Sequence, residues 1–105
     1  MIDPKEFIKF LNKTGIDFFC GVPDSCVRPF VKNLKRHYVL ANEGIAISFA
    51  AGYHLSTKKI PLIYLQNSGL GNATDPITNL ISKEVYNLPA ILLIGWRGHP
   101  KFKDE

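Results

Sequence analysis

Apolar and polar residues alternate along the chain in short blocks whose spacing predicts helices and strands in turn. Asp3 followed by Pro4 is typical of a helix start, and apolar residues at helical spacing continue until Gly15. Four short apolar runs bounded by glycine, proline or polar residues predict strands over residues 16–20, 38–41, 60–66 and 89–96. The segments between these runs predict further helices over about 24–35, 42–56 and 73–85.

Two of the predicted helices have alternative starts. Asp24 or Ser25 can cap the second helix, and Pro29 then either lies in its first turn or delays its start. The fourth helix begins near Ala73 after a loop with the sequence NSGLGN, or it begins later, at the Asp-Pro pair 75–76.

The predicted order α-β-α-β-α-β-α-β indicates an α/β fold with a mainly parallel sheet and helices on both faces. In such sheets ligands bind beyond the carboxyl ends of the strands. Polar and glycine residues gather at these four ends, in the segments GVPDS (21–25), ANEG (41–44), QNSGLGN (66–72) and GWRG (95–98). The pattern therefore predicts a functional site along this edge of the sheet.

Glu43 is the first candidate at this edge, because it opens a helix that is otherwise apolar. An acid in the first helical turn complements the helix dipole and contributes ~0.3–1 kcal/mol at an exposed site, which alone would account for the residue. However, Gly44 and the small residues that follow permit close packing, which would partly desolvate the acid. Such a carboxylate can donate or share a proton with a ligand nitrogen, so Glu43 is the candidate catalytic residue.

The glycine-rich segment QNSGLGN is the second candidate. Its glycines allow a tight turn between strand and helix, and its backbone N–H groups resemble a phosphate cradle. It lacks the GK[ST] sequence of a Walker loop and the GxGxxG spacing of a dinucleotide site. Two hydrogen-bonding side chains, Asn67 and Ser68, remain to face the crevice.

The other two strand ends supply an acid, a hydroxyl and an arginine. Asp24 and Ser25 can be simple helix caps. Arg97 lies between tryptophan and glycine, and its planar guanidinium could hold a carboxylate, phosphonate or sulfonate through two hydrogen bonds. A surface ion pair explains Arg97 equally well from its spacing alone.

Composition and charge bound this picture. The 105 residues make one domain at most, with 46% apolar residues, 21% charged residues and a formal charge of +4. The basic cluster KNLKRH is short and lacks interleaved aromatic residues, so we expect no nucleic-acid partner.

Cys20 and Cys26 form no CxxC pair and are expected to be reduced, structural thiols. Without a signal peptide or a long apolar run, we expect a cytoplasmic protein with no membrane partner.

Taken together, GVPDS, ANEGIAISFAAGYHL, YLQNSGLGN and GWRG resemble the pyrimidine-binding domain of thiamine-diphosphate-dependent decarboxylases. Among these enzymes the resemblance is closest to those that act on phosphonopyruvate, followed by those that act on sulfopyruvate. It covers most of the chain and implies that residues 1–105 are a partial pyrimidine-binding domain that is truncated at its C-terminus. It further implies that Glu43 hydrogen-bonds N1′ of the cofactor's aminopyrimidine, so that the activated cofactor releases carbon dioxide from a 2-oxo acid; from phosphonopyruvate this gives phosphonoacetaldehyde.

The resemblance also implies roles for the other candidates. Asp24 and Ser25 would face the substrate, whereas Arg97 as a clamp for an anionic head group is an inference from its chemistry. The cofactor ring would be lined by the segment after the third strand, namely Asn67, Ser68, Gly69, Leu70 and Gly71.

The same resemblance implies a partner. The cofactor's diphosphate and Mg²⁺ would be held by a GDG-containing domain that this sequence lacks, so a homo-oligomer or a separate diphosphate-binding chain is expected, and the chain alone is expected to be inactive. Two alternatives stay open: an alpha-type subunit of a sulfopyruvate decarboxylase, and a non-catalytic α/β module that binds an anion or a partner protein.

Overall fold

A four-stranded parallel sheet organises the chain, and the computed structural model describes residues 2–102 of it. The strands are β1 (Phe19–Gly21), β2 (Tyr38–Val39), β3 (Leu62–Gln66) and β4 (Ile91–Gly95). The helices are α1 (Pro4–Lys13), α2 (Arg28–Val31), α3 (Glu43–Thr57) and α4 (Leu70–Pro76). The strand order in the sheet is β2-β1-β3-β4, and every pair is parallel. The predicted α/β fold with a parallel sheet is thereby confirmed.

Helices cover both faces of the sheet, because successive side chains of a strand point to opposite sides. On one face, Ile63 and Leu65 of β3 pack with Ala46 and Ala50 of α3 and with Ala73 of α4. On the other face, a second cluster joins the sheet to α1 and α2 and consists of Leu11, Phe19, Val27, Phe30, Leu62 and Tyr64. Because β3 is buried on both sides, its sequence is a continuous apolar run.

The first and third helices begin as their sequences predict. The Asp3 side chain accepts a hydrogen bond from the Lys5 backbone N–H at 2.9 Å. The Asn42 side chain accepts one from Ile45 N–H at 2.9 Å, so Glu43 is the first residue of α3. Both caps satisfy a backbone donor that would otherwise lack a partner.

The second helix is shorter than predicted. It comprises only four residues, and its N-cap, Val27, makes no side-chain hydrogen bond. The Asp24 side chain instead accepts a hydrogen bond from Cys26 N–H at 2.6 Å, which closes a local turn before the helix. The prediction that Asp24 or Ser25 caps α2 is therefore wrong, whereas Pro29 does lie in the first turn of the helix.

The fourth helix begins earlier than predicted, and NSGLGN is not a loop. Residues Asn67–Gly69 form a 3₁₀ turn that leads directly into α4 at Leu70. Leu70 and Ala73 both belong to the apolar cluster under α3, and this packing outweighs the low helix propensity of the glycines. Pro76 ends α4 and a π-helical turn, Ile77–Ile81, follows it, so a late start at the Asp-Pro pair is also wrong.

Tyr64 of β3 reaches across β1 and hydrogen-bonds residues at the edge strand β2. Its ring is fully buried, and its hydroxyl lies 2.7 Å from His37 Nδ1 and 3.4 Å from the backbone oxygen of Tyr38. The ring crosses β1 at Gly21, where a Cβ would lie 2.7 Å from Tyr64 Cδ2 and still closer to the Tyr64 backbone oxygen. Only glycine therefore fits at position 21, at the end of β1.

We expect Gly21→Ala to destabilise the fold by roughly 1–3 kcal/mol, because the added methyl group overpacks the β1–β3 contact. The matched control is Gly52→Ala in α3, where a Cβ would meet nothing within 4 Å. That variant should be stabilised by about 1 kcal/mol, since alanine is the better helix former. Thermal unfolding of the three proteins side by side measures both effects, and equal melting temperatures for the two variants would contradict the prediction.

Candidate active site

Glu43 lies where the first turn of α3 meets the segment that follows β3. Its side chain is half-buried, and its Oε2 accepts a hydrogen bond from Asn72 Nδ2 at 3.0 Å. Within residues 2–102 this is the only hydrogen bond that the structure gives the carboxylate. The helix start favours a negative charge at this position, and the carboxylate keeps accepting capacity for a bound molecule.

Two glycines allow this close approach. A Cβ at Gly69 would lie 2.5 Å from Glu43 Cδ, so the carboxylate occupies the space that any other side chain would need. A Cβ at Gly44 would lie 2.8 Å from the backbone oxygen of Asn72. The first turn of α3 and the start of α4 are therefore in contact through their backbones, with the carboxylate between them.

Asn67 joins the ends of β3 and β4. Its Nδ2 donates to the backbone oxygen of Arg97 at 3.1 Å, and its Oδ1 accepts from Arg97 N–H at 3.2 Å. The next residue, Ser68, donates its hydroxyl proton to Gln66 Oε1. The Asn67 side chain thus holds the GWRG segment against the segment that contains Gly69.

The turn after β1 packs against the end of β4. A Cβ at Gly95 would lie 2.6 Å from Cys26 Cβ, so the two segments are in direct contact. Loss of solvation and the neighbouring Asp24 carboxylate raise the pKa of the Cys26 thiol, whereas the positive charge of Arg97 opposes this rise. The charges of Asp24 and Arg97 thus both act on the Cys26 thiol, in opposite directions.

Asp24 has an unused acceptor. One carboxylate oxygen bonds Cys26 N–H, while Oδ2 is buried and has no hydrogen-bond partner among the described residues. This oxygen can accept from a donor on a bound molecule. Ser25 follows on the same turn and is exposed.

The structure does not give every candidate the same role. Leu70 packs into the apolar cluster beneath α3, and Gly71 lies on the exposed side of α4 with open space around its Cα. Asn72 contacts the central carboxylate although the sequence pattern did not single it out. Its presence in a strand-end segment was the available signal, but an asparagine in a glycine-rich turn is usually a turn former.

The two cysteines differ in environment. Cys20 is fully buried, its Sγ donates to the backbone oxygen of Ala46 at 3.6 Å, and burial raises the pKa of its thiol to about 12. Cys26 is exposed, and both thiols are free.

The outward face of α3 carries exposed apolar side chains. Ile45 and Phe49 are 47% and 40% exposed, and the helix contains no lysine, arginine or aspartate. A groove of about 640 Å³ runs along this face, lined by residues of α3 and α4 that include Gly44, Ser48 and Asn72. Exposed apolar side chains along one face of a helix are typical of a surface that contacts another molecule.

The described residues provide neither a metal site nor a membrane span. No three histidine, cysteine, aspartate or glutamate side chains between residues 2 and 102 are grouped so that they could hold a metal ion. Over the same range, no helix is long and apolar enough to cross a bilayer.

Comparison with known proteins identifies the family. Residues 5–104 match the profile of the thiamine pyrophosphate enzyme N-terminal TPP binding domain. The chain belongs to this family. The resemblance of its strand-end segments to thiamine-diphosphate enzymes is thereby confirmed.

Relatives of this thiamine pyrophosphate domain include two kinds of decarboxylase. The chain is 34% identical over 110 aligned positions to the phosphonopyruvate decarboxylase of Streptomyces viridochromogenes, covering 100% of this chain and 27% of that protein. It is 31% identical over 96 positions to sulfopyruvate decarboxylase subunit alpha of Methanocaldococcus jannaschii, covering 87% of this chain and 55% of that protein. The chain thus spans about a quarter of the first relative and about half of the second.

A solved structure shows the same fold. The thiamine diphosphate-dependent 4-hydroxybenzoylformate decarboxylase of Rhodococcus jostii superposes with a TM-score of 0.77 at 28% identity. The match covers 91% of this chain and 19% of that enzyme.

The residues at the α3 start fit the cofactor that this family binds. A half-buried carboxylate with one amide partner can accept a hydrogen bond from a protonated heterocycle or share its proton. Gly69 leaves room for that carboxylate to pack against the turn, and any larger side chain there would displace it.

We expect Gly69→Ala to move the Glu43 side chain and abolish tight binding of thiamine diphosphate, whereas Gly52→Ala should bind it normally. Both variants add one methyl group, yet only a Cβ at position 69 would overlap Glu43. Titration of the assembled protein with thiamine diphosphate and Mg²⁺ measures the difference, and thermal unfolding verifies that both variants are folded. Normal binding by Gly69→Ala would show that the contact does not matter.

Proposed function

We propose that residues 1–105 are part of the pyrimidine-binding domain of a thiamine-diphosphate-dependent 2-oxo acid decarboxylase. The favoured reaction is the conversion of phosphonopyruvate to phosphonoacetaldehyde and carbon dioxide. The observation that carries the proposal is the Glu43 carboxylate, which is seated against Gly69 and held by Asn72 at the start of α3. Membership of the family and the 34% identical phosphonopyruvate decarboxylase support it.

Glu43 is the proposed catalytic residue of this chain. Thiamine diphosphate, when bound, supplies the electron sink that makes loss of carbon dioxide from a 2-oxo acid possible. In this proposal the Glu43 carboxylate hydrogen-bonds N1′ of the aminopyrimidine and shares a proton with it. The short 3₁₀ turn of Asn67, Ser68 and Gly69 lines the ring and limits access of water.

The substrate is proposed to lie between the turn after β1 and the end of β4. Arg97 would hold the anionic head group, because its guanidinium can make two parallel hydrogen bonds to a phosphonate or sulfonate. Asp24 would accept a hydrogen bond at its unpaired Oδ2, and Ser25 would donate one from the same turn.

A partner is proposed to complete the site. The diphosphate group and Mg²⁺ would be held by a diphosphate-binding domain, carried either by another copy of a longer chain or by a separate subunit. This partner would cover the outward face of α3, since the groove along Ile45 and Phe49 is also lined by Asn72, which hydrogen-bonds Glu43. The name of the second relative, subunit alpha, fits such an arrangement.

We expect Glu43→Gln to reduce carbon dioxide release by the assembled enzyme at least ~100-fold, the lower range for loss of a general acid–base group. Glu6→Gln is the matched control, because Glu6 also lies in the first turn of a helix and complements its dipole. Both variants should unfold at nearly the same temperature. Similar activity in the two variants would mean that Glu43 only stabilises the helix dipole, and the proposal would lose its basis.

A sulfopyruvate decarboxylase is the second candidate, favoured by the 31% identical subunit alpha. Phosphonopyruvate and sulfopyruvate are both three-carbon 2-oxo acids with an anionic head, and Arg97 suits either one. The ratio of kcat/KM for the two acids decides between them.

We expect Arg97→Leu to lower kcat/KM for the preferred acid roughly 10–100-fold, since a hydrogen bond to a charged group contributes about 1.5–3 kcal/mol. Pyruvate is the control substrate, because it lacks the head group and its slower turnover should change little. An equal loss of kcat/KM on both substrates would mean that Arg97 maintains the structure of the site and does not bind the head group.

Absence of thiamine diphosphate binding in every combination with a partner would instead favour a non-catalytic anion- or partner-binding module.

A further inference from the structure

We propose that Asn72 is a positioning residue, which fixes the carboxylate plane of Glu43 and thereby decides which oxygen meets the cofactor. This inference rests on the proposed function of Glu43. The hydrogen bond that carries it joins Asn72 Nδ2 to Glu43 Oε2 at 3.0 Å. A carboxylate only accepts hydrogen bonds when ionised, so the NH₂ end of the Asn72 amide must face it.

The two carboxylate oxygens of Glu43 are in different environments. Oε2 is the acceptor for Asn72, while Oε1 is the atom closest to the position that a Cβ at Gly69 would occupy. The terminal torsion of a glutamate is broad and roughly two-fold, so a carboxylate without a partner would rotate. The amide donor holds Oε2 and therefore leaves Oε1, which has no hydrogen-bond partner among residues 2–102, as the oxygen for the cofactor.

Asn72 is itself held in place through its backbone. Its carbonyl oxygen lies 2.8 Å from the position that a Cβ of residue 44 would occupy. The backbones of α3 and α4 are therefore in close contact here, and α4 cannot shift relative to α3 without disturbing this contact. The other amide nearby, Asn42, accepts from Ile45 N–H through its Oδ1 as the cap of α3, and among residues 2–102 its NH₂ group makes no hydrogen bond to Glu43. Asn72 is thus the side chain that the structure provides for orienting Glu43.

If Asn72 served only to stabilise the fold, loss of its hydrogen bond to Glu43 would lower the stability of the protein and leave the orientation of Glu43 unimportant. Asn72 is exposed, and a hydrogen bond between exposed groups contributes little to stability because water replaces the lost partner. Its removal should therefore leave the fold intact. Its effect should fall on the orientation of Glu43, which a binding experiment can isolate.

The test compares two ligands in the assembled enzyme with Mg²⁺: thiamine diphosphate and its analogue in which N1′ is replaced by CH. The wild type should prefer thiamine diphosphate, and Asn72→Ala should lower this preference about tenfold, the value of one charge-assisted hydrogen bond. Asn72→Asp, which puts a like charge beside Glu43, should lower it at least as much. Dissociation constants come from calorimetric titration, independently of turnover.

Asn79→Ala is the matched control. Asn79 Nδ2 donates to Asp75 Oδ1 at 2.8 Å, so the same amide–carboxylate pair occurs one turn beyond α4 and away from Glu43. This variant should keep the wild-type preference. An unchanged preference in both Asn72 variants overturns the positioning role while leaving the proposed function intact. A wild type without any preference overturns the N1′ contact itself.

Discussion

The contact between the first turn of α3 and the start of α4 constrains every other part of the candidate site. Gly44 leaves room for the backbone of Asn72, and Gly69 leaves room for the Glu43 side chain. Because interiors are packed without spare volume, an added methyl group at either point must displace a neighbour. The Glu43 carboxylate fills the remaining space, so its position follows from the packing of two helices on one face of the sheet.

The same contact brings the segment after β2 against the segment after β3. α3 and α4 pack on one face of the sheet through Ala46, Ala50 and Ala73, which places both helix starts at the carboxyl edge. Asn67 then ties the end of β3 to the end of β4, and Gly95 brings the turn after β1 against β4. The carboxylate is thus bonded to one amide of the segment after β3, and the backbone of Arg97 to another.

Much of this arrangement could be predicted from the sequence. The apolar runs predict the strands and the parallel sheet, and Asp3 and Asn42 locate two helix starts to the residue. The edge of the sheet that carries the polar residues follows from the alternation of strands and helices. These features are local or depend on one periodic pattern, so a single sequence is enough to reveal them.

Other features depend on contacts between distant residues and could not be predicted in this way. The helix start at Leu70 results from packing under α3, which outweighs the local preference of NSGLGN for a loop. α2 is short because the Asp24 side chain closes a local turn before the helix and does not cap it. Asn72 contacts Glu43 across 29 positions, a pairing that no local pattern encodes.

The composition of α3 adds a last constraint on how the site works. Its inner face is buried in the core, while its outer face leaves Ile45 and Phe49 partly exposed. Exposed apolar side chains on one face of a helix are typical of a surface that another protein covers. In the proposed assembly the covering partner would also exclude water from Glu43, and a hydrogen bond strengthens as the surrounding medium becomes less polar. The partner would then contribute to the proton-sharing step as well as to the diphosphate half of the site.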